Sequence, residues 1–185
     1  MKIQEWVRHV THGRLLKSFT DKTKIHLMHQ PREGKPLLVL DLDHTLLDFS
    51  RKQVIRANTS EVGDHSVAAL KRPFMDEFLT NSYKYYDLAV WSQTSWRWLE
   101  TKLTELGMLT NVGYRFCFVL DKTSMFEISS DKRDGSSFKH HVKPLQIIWT
   151  KFPRWNSSNT VHVDDLRRNF ALNLGKRHNR CINCF

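Results

Sequence analysis

Three apolar runs stand out along the chain: Leu37-Leu38-Val39-Leu40, Leu88-Ala89-Val90-Trp91 and Thr160-Val161-His162-Val163. Each ends abruptly in polar side chains. Runs of this kind suit strands covered on both faces, as in a parallel sheet, rather than strands with one wet face. Between the second and third runs, Ser95 to Leu106 carries Leu99, Leu103 and Leu106 at helical spacing, and Gly107 supplies the stop. Met125-Phe126-Glu127-Ile128, followed by the polar stretch from Ser129 to Ser137, predicts a strand and turn of a small hairpin. A short helix is expected around Trp6 to Leu16. Trp96 and Trp98 fall within the amphipathic segment, where at least one is expected to face the core.

The polar ends of these runs carry the chemistry. Asp41 and Asp43 sit two residues apart after the first run, with Thr45 beyond them. Two carboxylates this close imply a shared proton or a bound cation, and both serve phosphate chemistry. The second run ends in Ser92-Gln93-Thr94 at the start of the predicted helix, where a hydroxyl beside helix N-terminal amides can bind a phosphate oxygen or simply cap the helix. The third ends in Asp164-Asp165, repeating the logic of the first. Lys143, in His141-Val142-Lys143-Pro144-Leu145, is by itself an ordinary lysine. A carboxylate attacks an anionic phosphate only if a cation cancels the repulsion, so Mg²⁺ held by oxygen ligands is the natural partner.

The order strand-Asp-x-Asp-x-Thr, strand-Ser, Lys, strand-Asp-Asp resembles the haloacid-dehalogenase superfamily of phosphohydrolases. Leu70-Lys71-Arg72-Pro73-Phe74-Met75-Asp76-Glu77-Phe78-Leu79 narrows the resemblance to phosphatases related to those acting on the C-terminal domain of RNA polymerase II. Pro31-Arg32-Glu33-Gly34-Lys35, Val142-Lys143-Pro144-Leu145 and Asp164-Asp165-Leu166-Arg167-Arg168-Asn169-Phe170 are similar to the ubiquitin-like-domain-containing branch of that group. This resemblance implies a doubly wound, Rossmann-like parallel sheet flanked by helices, with a small β insertion and no large cap domain. It also implies a Mg²⁺-dependent serine/threonine phosphatase working through an aspartyl-phosphate. In that scheme Asp41 is the nucleophile and Asp43 the general acid, then base; Ser92 and Lys143 bind the phosphoryl oxygens, and Thr45, counted with them on the phosphate-binding side, orients the loop or the aspartates. Asp41, the Asp43 backbone carbonyl and Asp165 hold the metal, with Asp164 acting nearby. His44 and Gln93 stand where an aromatic and a small residue are common.

The gaps between motifs bear on the substrate. About two dozen residues separate Thr45 from Arg72, and the stretch from Asp121 to His140 is equally short; neither can fold as an independent lid. An open mouth favours a phosphorylated protein segment, carrying phosphoserine or phosphothreonine, over an enclosed metabolite. The resemblance points to nuclear targets such as proteasome subunits or the RNA polymerase II C-terminal domain. By the same resemblance Phe118 and Phe126 are candidate peptide contacts, although aromatics so placed are more often simply core. The alternative reading is a catalytically silent phosphoprotein-binding module, against which the general acid Asp43 argues, since a binder has no use for one.

Composition narrows the remaining classes. The chain has 185 residues, 40% of them hydrophobic, enough for one substantial core. The expected layout is a basic extension over 1–30 without a ubiquitin-like domain, a phosphatase domain over 31–174, and a basic, unstructured tail over 175–185. No apolar run approaches the ~18 residues of a bilayer span, so a soluble intracellular protein without membrane contact is expected. Three cysteines do not make a disulfide framework, and Cys181-Ile182-Asn183-Cys184 lacks the second pair that a zinc site needs. The net charge of +10 is spread over short pairs such as Lys71-Arg72 and Arg167-Arg168, so it steers phosphorylated partners and calls for no direct nucleic-acid contact.

Overall fold

Leu37–Leu40 (β1) is buried at all four positions and occupies the middle of a parallel sheet. The structure is a computed structural model that describes residues 3–49, 70–131, 134–173 and 179–181. Around β1 lie Asp87–Trp91 (β2), Phe116–Leu120 (β3), Thr160–Asp164 (β6) and Asn179–Cys181 (β7), in the order β3-β2-β1-β6-β7. Every pairing between these strands is parallel. The strand order reverses between β1 and β6. In open α/β sheets the crevice at such a reversal, beyond the carboxyl ends of the strands, is where ligands bind.

Alternation along the strands builds two cores. Leu38, Leu40, Leu88, Val90 and Phe116 pack on one face with Met75 and Leu79 of α2 (Met75–Tyr83) and Leu99 and Leu103 of α3 (Trp96–Glu105). Leu37, Val39, Ala89, Trp91 and Phe118 pack on the other face with Ile147 and Ile148 of α4 (Gln146–Lys151). Leu15, Leu16 and Phe19 of α1 (Ile3–Lys22) join this second core. The molecule is thus a doubly wound α/β fold, as the sequence predicts. The α3 stop is also where expected: Gly107 takes φ 67°, the left-handed geometry that glycine adopts without steric cost, and its N–H returns to Thr104 O over 2.9 Å.

The predicted hairpin is present as Phe126–Asp131 (β4) and Ser137–Val142 (β5), an antiparallel pair with Phe126 opposite Val142. Three expectations are corrected and one open reading is decided. The N-terminal helix is longer than predicted, because Leu15, Leu16 and Phe19 have a hydrophobic face to cover. Of the two readings open for Phe118 and Phe126 the structure shows core: both are buried, and Phe126 packs on Phe19 with ring centroids 4.9 Å apart. Trp96 and Trp98 are both 48% exposed, because the buried stripe of α3 runs through Leu99, Lys102 and Leu103. Residues 179–181 extend the sheet as β7 where an unstructured tail is expected. Cys184 and most of the segment between Thr45 and Arg72 lie outside the described residues. Among the described residues, no helix is long and apolar enough to cross a membrane.

Candidate active site

Strand register assembles the site. Leu40 pairs with Val90 on one side and Val163 on the other, so Asp41, Trp91-Ser92 and Asp164 leave the sheet side by side. The Asp41 N–H donates to Val163 O over 2.9 Å, tying the first motif to the last. Beyond it the chain turns sharply. His44 adopts φ 64°, its carbonyl accepts a hydrogen bond of 3.0 Å from Arg72 Nη2, and the N–H groups of Leu46 and Leu47 close onto Leu42 O. Thr45 is buried in this turn, and its hydroxyl has no hydrogen-bond partner among the described residues.

Lys143 follows β5, its N–H bound to Asn169 O at 2.9 Å, and its side chain is fully buried. The ammonium donates to Asp41 Oδ1 and to Asp164 Oδ2, each at 2.6 Å. One cation thereby faces two anions. Asp164 is held further: Oδ1 accepts from Leu166 N at 2.8 Å and from Asn169 Nδ2 at 2.8 Å, and Oδ2 also accepts from Asn169 Nδ2 at 3.0 Å. Burial raises the Asp41 carboxyl from its ordinary 3.8 to about 7; Lys143 opposes the rise, and Asp164 and Asp165 add to it. Burial also raises Asp165, with Asp164 adding to the effect. His162, behind Asp164 at 3.7 Å, is pushed down to about 3 by burial and by Lys143, so it is a neutral ring in this network.

Asp43 belongs to a separate network. Its Oδ1 accepts from the ammonium of Lys102 on α3, and its Oδ2 lies 3.4 Å from Ser92 Oγ. Ser92 is fully buried and exchanges a 2.9 Å hydrogen bond with Thr94 Oγ1. Each of the two motif carboxylates therefore contacts a different lysine: Asp41 meets Lys143, and Asp43 meets Lys102. Sequence reasoning missed Lys102 and Asn169. The signal for Lys102 was available, since a lysine three positions after Leu99 and next to Leu103 stands on the apolar stripe of its helix. Asn169 had none, because its contact with Asp164 depends on the turn of Arg167–Phe170.

Asp41, Asp43 and Asp165 line a common cleft of about 150 Å³ with His44, Gln93, Leu166 and Asn169. One carboxylate oxygen from each of Asp41, Asp164 and Asp165 lies within 4.8 Å of the others. Such an all-oxygen donor set, with Lys143 already balancing part of its charge, fits a hard divalent cation such as Mg²⁺. A second, larger groove of about 590 Å³ is lined by Lys24, His26 and Met28 of the N-terminal segment, Trp96 and Leu103 of α3, and Val119 and Leu120 of β3.

Residues 36–177 match the family described as NLI interacting factor-like phosphatases. The chain is 43% identical over 150 residues to ubiquitin-like domain-containing CTD phosphatase 1 of Drosophila melanogaster, an alignment that covers 81% of this chain and 42% of the relative. It is 41% identical over 151 residues to the protein of that name in Xenopus tropicalis and 40% identical over 151 residues to that in Homo sapiens, in each case covering 81% of this chain and 43% of the relative. The chain thus spans less than half the length of these relatives. Its match to the family extends from just before β1 to beyond the Asp164-Asp165 motif, a range that takes in the residues lining the cleft. The chain belongs to the NLI interacting factor-like phosphatase family.

Proposed function

We propose that this chain is a Mg²⁺-dependent protein serine/threonine phosphatase that works through an aspartyl-phosphate on Asp41. The observation that carries the reading is Lys143 set between Asp41 and Asp164, with the carboxylate of Asp43 in the same cleft beside Ser92. Asp41, Asp164 and Asp165, with the backbone carbonyl of Asp43, would hold the cation. When bound, it offsets the negative charge of the phosphoryl group and its attacking carboxylate.

Asp41 attacks phosphorus, and one hard hydrolysis becomes two easier displacements. Asp43 gives a proton to the departing serine or threonine oxygen and later takes one from the attacking water. Lys143 and the hydroxyls of Ser92 and Thr45 are the donors for the phosphoryl oxygens. Thr45 suits that role because its buried hydroxyl has no other hydrogen-bond partner among the described residues. Lys143 also gathers positive charge where negative charge develops, and a preorganised donor of this kind acts most strongly out of water.

The substrate is a phosphorylated protein segment. The relatives are named CTD phosphatases, and the groove between the N-terminal segment and α3 offers apolar walls for residues flanking the phosphate. Nuclear phosphoproteins such as the RNA polymerase II C-terminal domain or proteasome subunits are the proposed targets, and the nucleus the proposed location. The test is phosphate release from 4-nitrophenyl phosphate and from a phosphoserine peptide, with Mg²⁺ or chelator, comparing wild type with Asp41→Asn. Release that needs the metal and vanishes in the variant supports the enzyme. Absence of release by folded wild type on both substrates overturns it in favour of a phosphoprotein-binding module.

A further inference from the structure

Lys102 stands where the hydrophobic stripe of α3 calls for an apolar side chain, and it is 2% exposed. Burying an ammonium is costly, and replacing a buried ion pair with well-packed apolar groups is often neutral or stabilising, so packing alone gives no reason for a lysine here. Its surroundings supply one. The ammonium donates to Asp43 Oδ1 and lies 4.9 Å from the centre of the Phe49 ring and 5.4 Å from that of Trp98. A carboxylate and two aromatic rings hold the charge in one place, with half-exposed Trp98 as the outer wall.

The terminal torsion of an aspartate is soft, so a carboxylate without fixed partners samples many orientations. At Asp43 both oxygens are assigned: Oδ1 to Lys102, and Oδ2 to the side of Ser92 at 3.4 Å. The Ser92 contact is long and easily exchanged for a phosphoryl oxygen, whereas Lys102 is buried and stays.

We propose that Lys102 is a positioning residue that aims Asp43 Oδ2 at the leaving oxygen and so suits the site to esters with poor leaving groups, such as phosphoserine. The inference rests on the phosphatase reading of Asp41 and Asp43. In the first half-reaction the bond from Asp41 to phosphorus forms and the bond from phosphorus to the ester oxygen breaks. That oxygen takes the proton carried by Asp43 Oδ2. In the second, water oxygen bonds to phosphorus, the Asp41 oxygen leaves, and the proton of the water passes to Asp43. Lys102 keeps its protons throughout and acts only by holding Oδ1.

An activated aryl ester leaves without help from an acid, and an alkyl ester does not. The experiment therefore compares kcat/KM, which reports the phosphoryl-transfer step, for 4-nitrophenyl phosphate and a phosphoserine peptide in wild type, Lys102→Met and Lys102→Arg. Loss of a general acid is typically worth ~10²–10⁴-fold, so Lys102→Met is expected to lower kcat/KM for the peptide at least ~10-fold more than for the aryl ester. Lys102→Arg, which restores charge and donors, is expected to recover most of that difference. Lys102→Gln takes the place of Lys102→Met if the methionine variant does not fold. In an Asp43→Asn background the Lys102 substitution should cost almost nothing more, because residues acting as a unit are not additive. Equal losses on both substrates, or a full additional loss in the double variant, overturn the positioning role while leaving the phosphatase reading intact. Wild type inactive on both esters, or turnover that survives Asp41→Asn, overturns the two together.

Discussion

Lys143 Nζ lies 2.6 Å from Asp41 Oδ1, although 102 positions separate the two residues in the chain. Both side chains are buried, and the same ammonium serves Asp164. Lys143→Met would leave two carboxylates facing each other without their cation. Asp41, already held at about 7 against the pull of Lys143, would be pushed further up, which disfavours its nucleophilic form. Phosphate release is expected to fall by about 10²–10³-fold or more, the range seen when one preorganised electrostatic donor is removed. The residual rate should climb steeply as pH is raised. A variant with a wild-type rate and a wild-type pH profile would remove Lys143 from the site chemistry.

The raised Asp41 carboxyl makes metal binding and stability depend on pH in a fixed direction. Its folded value of about 7 lies above the ordinary 3.8, so the folded state holds a proton that the unfolded chain releases. The stability from this proton is fully present below about pH 4 and is lost as pH rises through 7. Asp165, shifted the same way, adds to the trend. A divalent cation reverses it by favouring the ionised carboxylates. Thermal melts at pH 5, 6, 7 and 8, with Mg²⁺ or chelator, should therefore show a Mg²⁺-induced rise in Tm that grows with pH. A rise of constant size across that range would mean that the ion does not compete with a proton on Asp41.

Much of this site was legible in the chain because strands of a parallel sheet end together. Apolar runs ending in Asp41, Ser92 and Asp164 could be placed at one edge without knowing a single contact, and β1 does pair with both β2 and β6 in that register. The hairpin was legible for a similar reason, since its apolar and polar blocks are local. Side-chain partners at long range were not. Lys143 could be named but not placed, because its reach to Asp41 depends on where β5 ends against the turn at Asn169. Phe118 and Phe126 could be read as core or as peptide contacts because aromatic residues near an insertion can face either way, and only packing decides it: Phe126 against Phe19 of α1, and Phe118 against Phe152 and Trp155. Lys102 was hidden by habit, as a lysine on a helix is ordinarily on its wet face.

Asn169 holds both oxygens of Asp164 through one amide, at 2.8 and 3.0 Å, and lines the same cleft as Asp41 and Asp165. Partners that orient a metal ligand typically change affinity about 10–100-fold when removed. Asn169→Ala should weaken Mg²⁺ activation by that order while leaving the maximal rate at saturating Mg²⁺ much closer to wild type. Titration of activity with Mg²⁺ separates the two quantities. An unchanged activation constant would assign Asn169 to the loop alone.

At the opposite end of β2 the chain carries an ion pair whose role is stability. Arg32 donates through Nε to Asp87 Oδ1 at 2.8 Å and through its backbone N–H to Oδ2 at 3.0 Å. Its Nη2 reaches the carbonyls of Tyr83 and Tyr86 at 2.7 and 2.5 Å, and its guanidinium lies 3.8 Å from the centre of the Tyr83 ring. Asp87 is only 1% exposed, so Arg32→Ala leaves a buried carboxylate with little compensation, a change that typically costs about 3–5 kcal/mol. An ammonium in place of the guanidinium would keep the charge but could not reach the carboxylate and two carbonyls at once, so Arg32→Lys should recover only part of the loss. Four steps of strand at about 3.3 Å each put Asp87 roughly 13 Å from the end of β2 that leads into Ser92, so the folded fraction should turn over at the wild-type rate. Urea unfolding followed by kcat below the transition midpoint checks both halves. A variant as stable as wild type would show that the guanidinium contributes no net stability, and a fall in kcat at full folding would show that the pair reaches the cleft.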